Sequence, residues 1–162
     1  MPLQIVNADM GGLGSPVQLI QAQYTSFAGG IGGSNQMSIA NVVPTNTQGA
    51  QVLAQAITPV SPTDNVLVQF ACAATLGAIG NMVFALFRGS TCIQARIFSC
   101  YHDGNPVAVY LDVLDSPAST APQTYSVRCS GSGGTALYIN EYYTHFFGGV
   151  EKATLTLTEI RA

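Results

Sequence analysis

Few side chains in this 162-residue sequence have an obvious claim to chemistry. His102 stands beside Asp103, and with a serine they would supply the parts of a Ser/His/Asp relay, in which the imidazole takes the hydroxyl proton and the carboxylate fixes its tautomer. No GxSxG stretch provides the sharp turn that exposes such a serine. The pair opens a turn sequence, Asp103-Gly104-Asn105-Pro106, so a surface turn histidine is the expectation. Asp112 and Asp115 could offer oxygens to calcium, but EF-hand spacing is missing and a solvated strand end is expected. As an acid/base pair they lack any accompanying sugar-binding or nucleophile context. The glycines Gly29, Gly30, Gly32 and Gly33 suggest a phosphate loop until the missing lysine and helix are noticed; a loop between strands is expected. Cys72, Cys92, Cys100 and Cys129 form no CxxC pair, which argues against zinc. Free thiols are expected, although Cys92 and Cys100 could meet across a hairpin. No metal or cofactor is expected.

His145 differs, because it lies within Tyr142-Tyr143-Thr144-His145-Phe146-Phe147, the densest aromatic run of the chain. Rigid aromatic side chains supply contact area at a protein interface or under a sugar ring. They also build ordinary cores, and the sequence leaves both readings open.

These residues must be positioned by strands. Helical periodicity is nearly absent, and short apolar or alternating runs recur between Gly, Pro, Asn and Ser. Ten strands are predicted: Val17–Tyr24, Gln36–Val43, Gln51–Thr58, Val66–Ala74, Met82–Arg88, Thr91–Cys100, Val107–Leu114, Thr124–Ser130, Ala136–Tyr143 and Thr154–Ile160. That density fits a β-sandwich or jelly roll. Residues 1–16 form a short N-terminal arm, and residues 17–162 one domain. Met82, Phe84 and Leu86 alternate with Val83, Ala85 and Phe87, so this strand is apolar on both faces. A sandwich covers one face only; a second subunit is the simplest cover for the other.

Charge is scarce and uneven. Charged residues make up 8% of the chain and hydrophobic residues 48%, with net charge −3, and the mean hydropathy is +0.31. From Met10 to Thr63 no Asp, Glu, Lys, Arg or His occurs. Such a stretch invites aggregation if left bare, and it makes sense when other protein covers it. The five basic residues are spread singly, which argues against nucleic acid and against an anionic membrane as partners. MPLQIVNAD at the start lacks a basic region followed by an apolar one, so no secretory signal is expected. No run reaches the length of a membrane span.

Several segments together resemble the TNF/C1q-like jelly rolls of tailed-bacteriophage virion proteins. They are VPTNTQGAQVLAQAITP (Val43–Pro59), NVLVQF (Asn65–Phe70), VFALFRGS (Val83–Ser90), TYSVRC (Thr124–Cys129), LYIN (Leu137–Asn140) and TLTLTEI (Thr154–Ile160). The chain lacks the long shaft of a tail fibre. The resemblance implies an all-β, ten-stranded antiparallel jelly-roll sandwich that forms a homotrimer. It also implies a non-enzymatic virion protein made in the host cytoplasm: a trimeric capsid decoration (cement) protein bound to the major capsid protein. The alternative is a tail module that contacts a host-surface receptor. The residues expected to meet a partner are Leu3, Ile5, Val6, Met10 and Leu13 of the arm, with Tyr142, Tyr143, Phe146 and Phe147.

Overall fold

A computed structural model describes residues 19–24 and 35–161. Eleven strands occur among them: β1 (Leu19–Tyr24), β2 (Ala50–Ile57), β3 (Asn65–Leu76), β4 (Gly80–Arg88), β5 (Thr91–Cys100), β6 (Val107–Asp115), β7 (Gln123–Gly131), β8 (Leu137–Ile139), β9 (Glu141–Tyr142), β10 (Thr144–His145) and β11 (Ala153–Ile160). All pairings are antiparallel. One sheet runs β1-β11-β3-β6, with β8 extending the β11 side of β3; the other runs β2-β7-β4-β5. Of the long strands, only β4 and β5 are consecutive neighbours in one sheet; every other connection between them passes from one sheet to the other.

The ten-strand expectation is corrected. Eight strands have six residues or more, and three have two or three. Gln36–Val43 is not a strand; it is irregular, with bends over residues 39–42. Ala136–Tyr143 is two short strands, because Asn140 takes a positive φ of 59° and breaks the extended run. The proposed arm and Gly29–Gly33 lie outside the described residues, as do Leu3, Ile5, Val6, Met10 and Leu13.

Alternation builds the core. Val66, Val68, Phe70, Cys72 and Ala74 of β3 point inward, as do Val109 and Leu111 of β6 and Ala153, Leu155 and Leu157 of β11. They meet Met82, Phe84 and Leu86 of β4 and Tyr125, Val127 and Cys129 of β7 in one apolar cluster. Phe84 sits between the layers, 6.1 Å from Phe70 and edge-on to Phe98 at 5.8 Å, centroid to centroid. Edge-to-face rings add to the area term.

The second face of β4 is buried as its composition demands, but the cover identified in the structure is the chain itself. Met37 packs with Val83, Ala85, Phe87 and Cys92 in a separate apolar cluster. Residues 35–49 form a loop whose ends meet through Gly49 N–H donating to Asn35 O at 2.7 Å. Ser130 Oγ accepts from Met37 N–H at 3.1 Å. The Arg128 guanidinium donates from Nε to Gln48 O and from Nη2 to Gly49 O, both at 2.7 Å. A strand's periodicity shows that a face is buried; it does not show by what.

Candidate functional site

The aromatic run Tyr142–Phe147 lies in the connection between β8 and β11, at the end of the sandwich where β3 leads into β4 and β5 into β6. Its base is held by Asn140, which is fully buried. The Asn140 N–H donates to Ala73 O at 2.8 Å, and its side-chain Oδ1 accepts from Ala73 N–H at 3.1 Å. The carboxamide therefore prolongs the β3 ladder where the chain itself turns away. Thr75 Oγ1 donates to Glu141 O at 2.9 Å, and Phe146 N–H to Asn140 O at 3.0 Å. Between these ties β9 and β10 form a minimal hairpin, with Tyr143 at its turn in a positive-φ conformation of 58°. A bulky residue held there is uncommon.

Three tyrosine rings meet on this hairpin. Tyr138 lies edge-on to Tyr142 at 5.6 Å and 6.1 Å from Tyr143, while Tyr142 and Tyr143 are 4.2 Å apart. The Tyr142 hydroxyl donates to Asp103. This bond, and then the one with Tyr143, holds the Tyr142 phenol above its ordinary range. Tyr143 is 77% exposed and Phe147 81%. Tyr101, Ile79 and Val150, on the loops at the same end, are exposed as well. His145 Nδ1 lies 2.9 Å from Glu141 Oε2, so the half-exposed imidazole is anchored to a buried carboxyl. The tip has the chemistry of a contact surface: exposed rings, one hydrophilic rim and a rigid base.

Gly104 sets the height of the Tyr142 ring. Its φ is +72°, and a Cβ there would stand 2.4 Å from Tyr142 Cε1. Gly104→Ala is expected to cost about 1–2 kcal/mol from the left-handed backbone and to displace Tyr142 from Asp103. Changed ring-proton shifts of Tyr142 and Tyr138 beside a small drop in Tm check this.

Sequence reasoning singled out Tyr142, Tyr143, Phe146 and Phe147, and all lie on the tip. Phe146 is half-buried and the ring of Phe147 stands clear. Tyr138, Asn140 and Gly104 were missed. The alternation of Leu137 and Ile139 around Tyr138 was the available signal. His102 and Asp103 do lie in an exposed turn, where the Asp103 carboxylate engages Tyr142 and the His102 carbonyl accepts from Cys100 Sγ at 2.9 Å.

Asp112 and Asp115 lie on opposite faces of β6 and do not converge. Asp112 is exposed on the outer face, 3.4 Å from Arg96. Asp115 is not a solvated strand end: its side chain is 11% exposed and takes bonds from Arg88 and Tyr125. The four cysteines are free thiols, and burial pushes those of Cys72 and Cys129 upward. Among the described residues no group of three or more His, Cys, Asp or Glu side chains could hold a metal ion, and no helix is long and apolar enough to cross a membrane.

One polar pair was also missed. At the end of the sandwich away from the tip, Asp64 and Glu159 are 3% and 2% exposed. Glu159 Oε1 accepts from Val60 N–H at 2.6 Å, while Glu159 Oε2 and Asp64 Oδ2 are buried without a hydrogen-bond partner.

No protein-family model matches the chain, and no curated protein matches it. Among solved structures it is similar to the structure of infectious bursal disease virus Gx strain. That match has 12% identity, covers 99% of this chain and 42% of the other, and has a TM-score of 0.40. The VP2 subviral particle of infectious bursal disease virus gives 12% identity, 99% and 43% coverage and a TM-score of 0.36. Dimeric latent PorU from Porphyromonas gingivalis gives 12% identity, 68% and 10% coverage and a TM-score of 0.38. The chain spans less than half the length of each of these neighbours. At this level of likeness none of them assigns it a function.

Proposed function

We propose that this chain is a non-enzymatic structural protein of a phage virion: a jelly roll that assembles as a homotrimer and decorates the head by binding the major capsid protein. The observation that carries the reading is the strand order. Two four-strand paths, β1-β11-β3-β6 and β2-β7-β4-β5, with nearly every connection crossing between sheets, support a jelly roll, whose double Greek-key plan would cross in the same way. The sparse charge supports burial in an assembly. The apolar outer face of β4 no longer does, since Met37 lies on it. Binding would come from buried apolar area, gaining roughly 25 cal/mol per Å² before ordering costs, multiplied by three arms on one trimer.

Light scattering is expected to give three times the 16.9 kDa of the chain. Deleting Met1–Pro16 is expected to leave that trimer folded but unable to sediment with capsid shells. A monomer, or full capsid binding by the truncated form, would refute the respective half of the proposal.

The exposed aromatic tip favours a second reading, a receptor-binding module of a tail. Binding of isolated protein to host cells, abolished by Tyr143→Ala with Phe147→Ala, would support it over decoration.

A further inference from the structure

Two neighbouring carboxyl groups, both almost wholly buried, cannot both stay ionised without a counter-charge between them. Asp64 and Glu159 are such a pair. Asp64 Oδ2 and Glu159 Oε2 are both buried without a hydrogen-bond partner, and Glu159 lies opposite Val66, two residues along the chain from Asp64. A proton on one of two neighbouring carboxyls would supply the donor that both orphaned oxygens lack. The pair joins separate parts of the chain: Glu159 belongs to β11, which is paired to Val66 of β3 at this point, and Asp64 ends the turn that follows Pro59. Ser61 organises that turn, with its carbonyl accepting from Asp64 N–H at 3.2 Å and its hydroxyl from Thr63 N–H at 3.2 Å. Val60 N–H donates to the same Glu159. Glu159 therefore fastens the first limb of the turn directly, with Asp64 of the second limb beside it.

We propose that Asp64 and Glu159 hold a single proton between them and act as a pH-operated latch, fastening the Val60–Asp64 turn to the end of β11 while the proton is kept and loosening it when the proton is lost. Other charged groups near the pair are Arg161, one residue beyond β11, and Asp115, in the same cross-strand row on the far side of Val66 and already paired with Arg88. Burial, and then Asp64, raises the Glu159 carboxyl above its ordinary range; Val60 N–H and Arg161 oppose this. An acid whose folded form holds its proton more tightly stabilises the fold below the ordinary carboxylate range. That contribution drains away as pH rises through the folded pair's own titration. Loss of the proton leaves a buried charge and frees the turn.

The test is thermal unfolding of the full chain from pH 4 to pH 9, for wild type, Glu159→Gln and Asp64→Asn. The carboxamide introduced by Glu159→Gln can accept from Val60 N–H and donate to Asp64, reproducing the protonated pair without titrating. Wild-type Tm is expected to fall across the window above the ordinary carboxylate range, and Glu159→Gln to exceed it at pH 8 by on the order of 3 °C while matching it near pH 4. Parallel Tm profiles for wild type and Glu159→Gln would overturn the latch. If Glu159→Gln does not fold, Asp64→Asn carries the same comparison. Amide exchange of wild-type Val60, corrected for intrinsic base catalysis, should also accelerate over the same window, and constant protection would refute the proposal. A rise in wild-type Tm at pH 8 on adding calcium, reversed by EDTA, would show that a cation and not a proton bridges the pair.

Discussion

Gly49→Val is expected to destabilise the protein by about 3 kcal/mol or more and to lift residues 35–48 off the outer face of the second sheet. Two separate costs combine. The φ of Gly49 is +61°, a left-handed conformation that costs an ordinary L-residue about 1–2 kcal/mol and a β-branched one more. In addition, a Cβ here would stand 2.5 Å from the carbonyl oxygen of Cys129 and 2.9 Å from Met37 Cε. The first obstacle is backbone in the middle of the sheet and cannot retreat; overpacking of this kind costs about 1–3 kcal/mol. Movement of Gly49 away from β7 would break the Arg128 clamp on Gln48 O and Gly49 O and strip Met37 from Phe87. The measurable outcome is a lower urea midpoint with new protease cleavage between residues 36 and 48. Gly49→Ala should show the same pattern with a smaller amplitude. Native stability and an uncut loop in Gly49→Val would mean that this close approach does not hold the loop.

The loop also shows where legibility stopped. Alternation along β3 and β11 identified the core faces, because inward positions there are mostly Val, Leu and Phe and outward ones mostly Thr, Gln and Ala. Over Gln36–Val43 the same kind of composition misled. Met37 is buried while Ile39, Val42 and Val43 are exposed, so the segment has no alternating face and is held by side chains and turns instead of a ladder. The apolar second face of β4 was legible as buried. Its cover was not, because which segment returns to a sheet face depends on long-range topology, and the residues that secure the return, Gly49 and Arg128, look ordinary in sequence. Two buried acids were readable by parity. Glu159 follows Leu155 and Leu157 at the same two-residue step, and Asp115 follows Val109, Leu111 and Val113. Carrying the inward face to the last residue of each strand places a carboxylate in the interior and calls for a partner. For the tip, aromatic density located the hairpin. The left-handed residues Asn140 and Tyr143, which give it its shape, left no periodic trace.

Asp115→Ala is expected to be nearly as damaging, at about 3 kcal/mol, because one carboxylate oxygen serves both sheets. Asp115 ends β6 of one sheet. Its Oδ2 accepts from Arg88 Nη1 of β4 at 2.8 Å and from the Tyr125 hydroxyl of β7 at 2.7 Å, both in the other sheet. Tyr125 is fully buried and Arg88 is a quarter exposed. Truncating the acid leaves a cation without its partner and a phenol without an acceptor. Breaking a buried pair costs about 3–5 kcal/mol, and the partial exposure of Arg88 argues for the lower end. Asp115→Asn keeps an acceptor for the phenol and loses the charge, so about 1–2 kcal/mol is expected. Tyr125→Phe removes one neutral donor and should cost about 1 kcal/mol. Since both changes act on one oxygen, the Asp115→Asn, Tyr125→Phe double variant should be less destabilised than the sum, with a coupling of about 0.5–1 kcal/mol. The same geometry predicts alkaline behaviour. Burial first, and then the bond to Asp115, raises the Tyr125 phenol well above its ordinary range. The folded chain therefore binds that proton more tightly than the unfolded one, and the phenol's contribution is complete below about pH 10 and lost as pH climbs beyond it. Urea titrations at pH 8 and pH 11 decide the matter. Wild type should lose stability between them, and Tyr125→Phe, measured alongside, should lose less. Equal losses would mean that the phenol is not the group that the Asp115 carboxylate holds between the sheets.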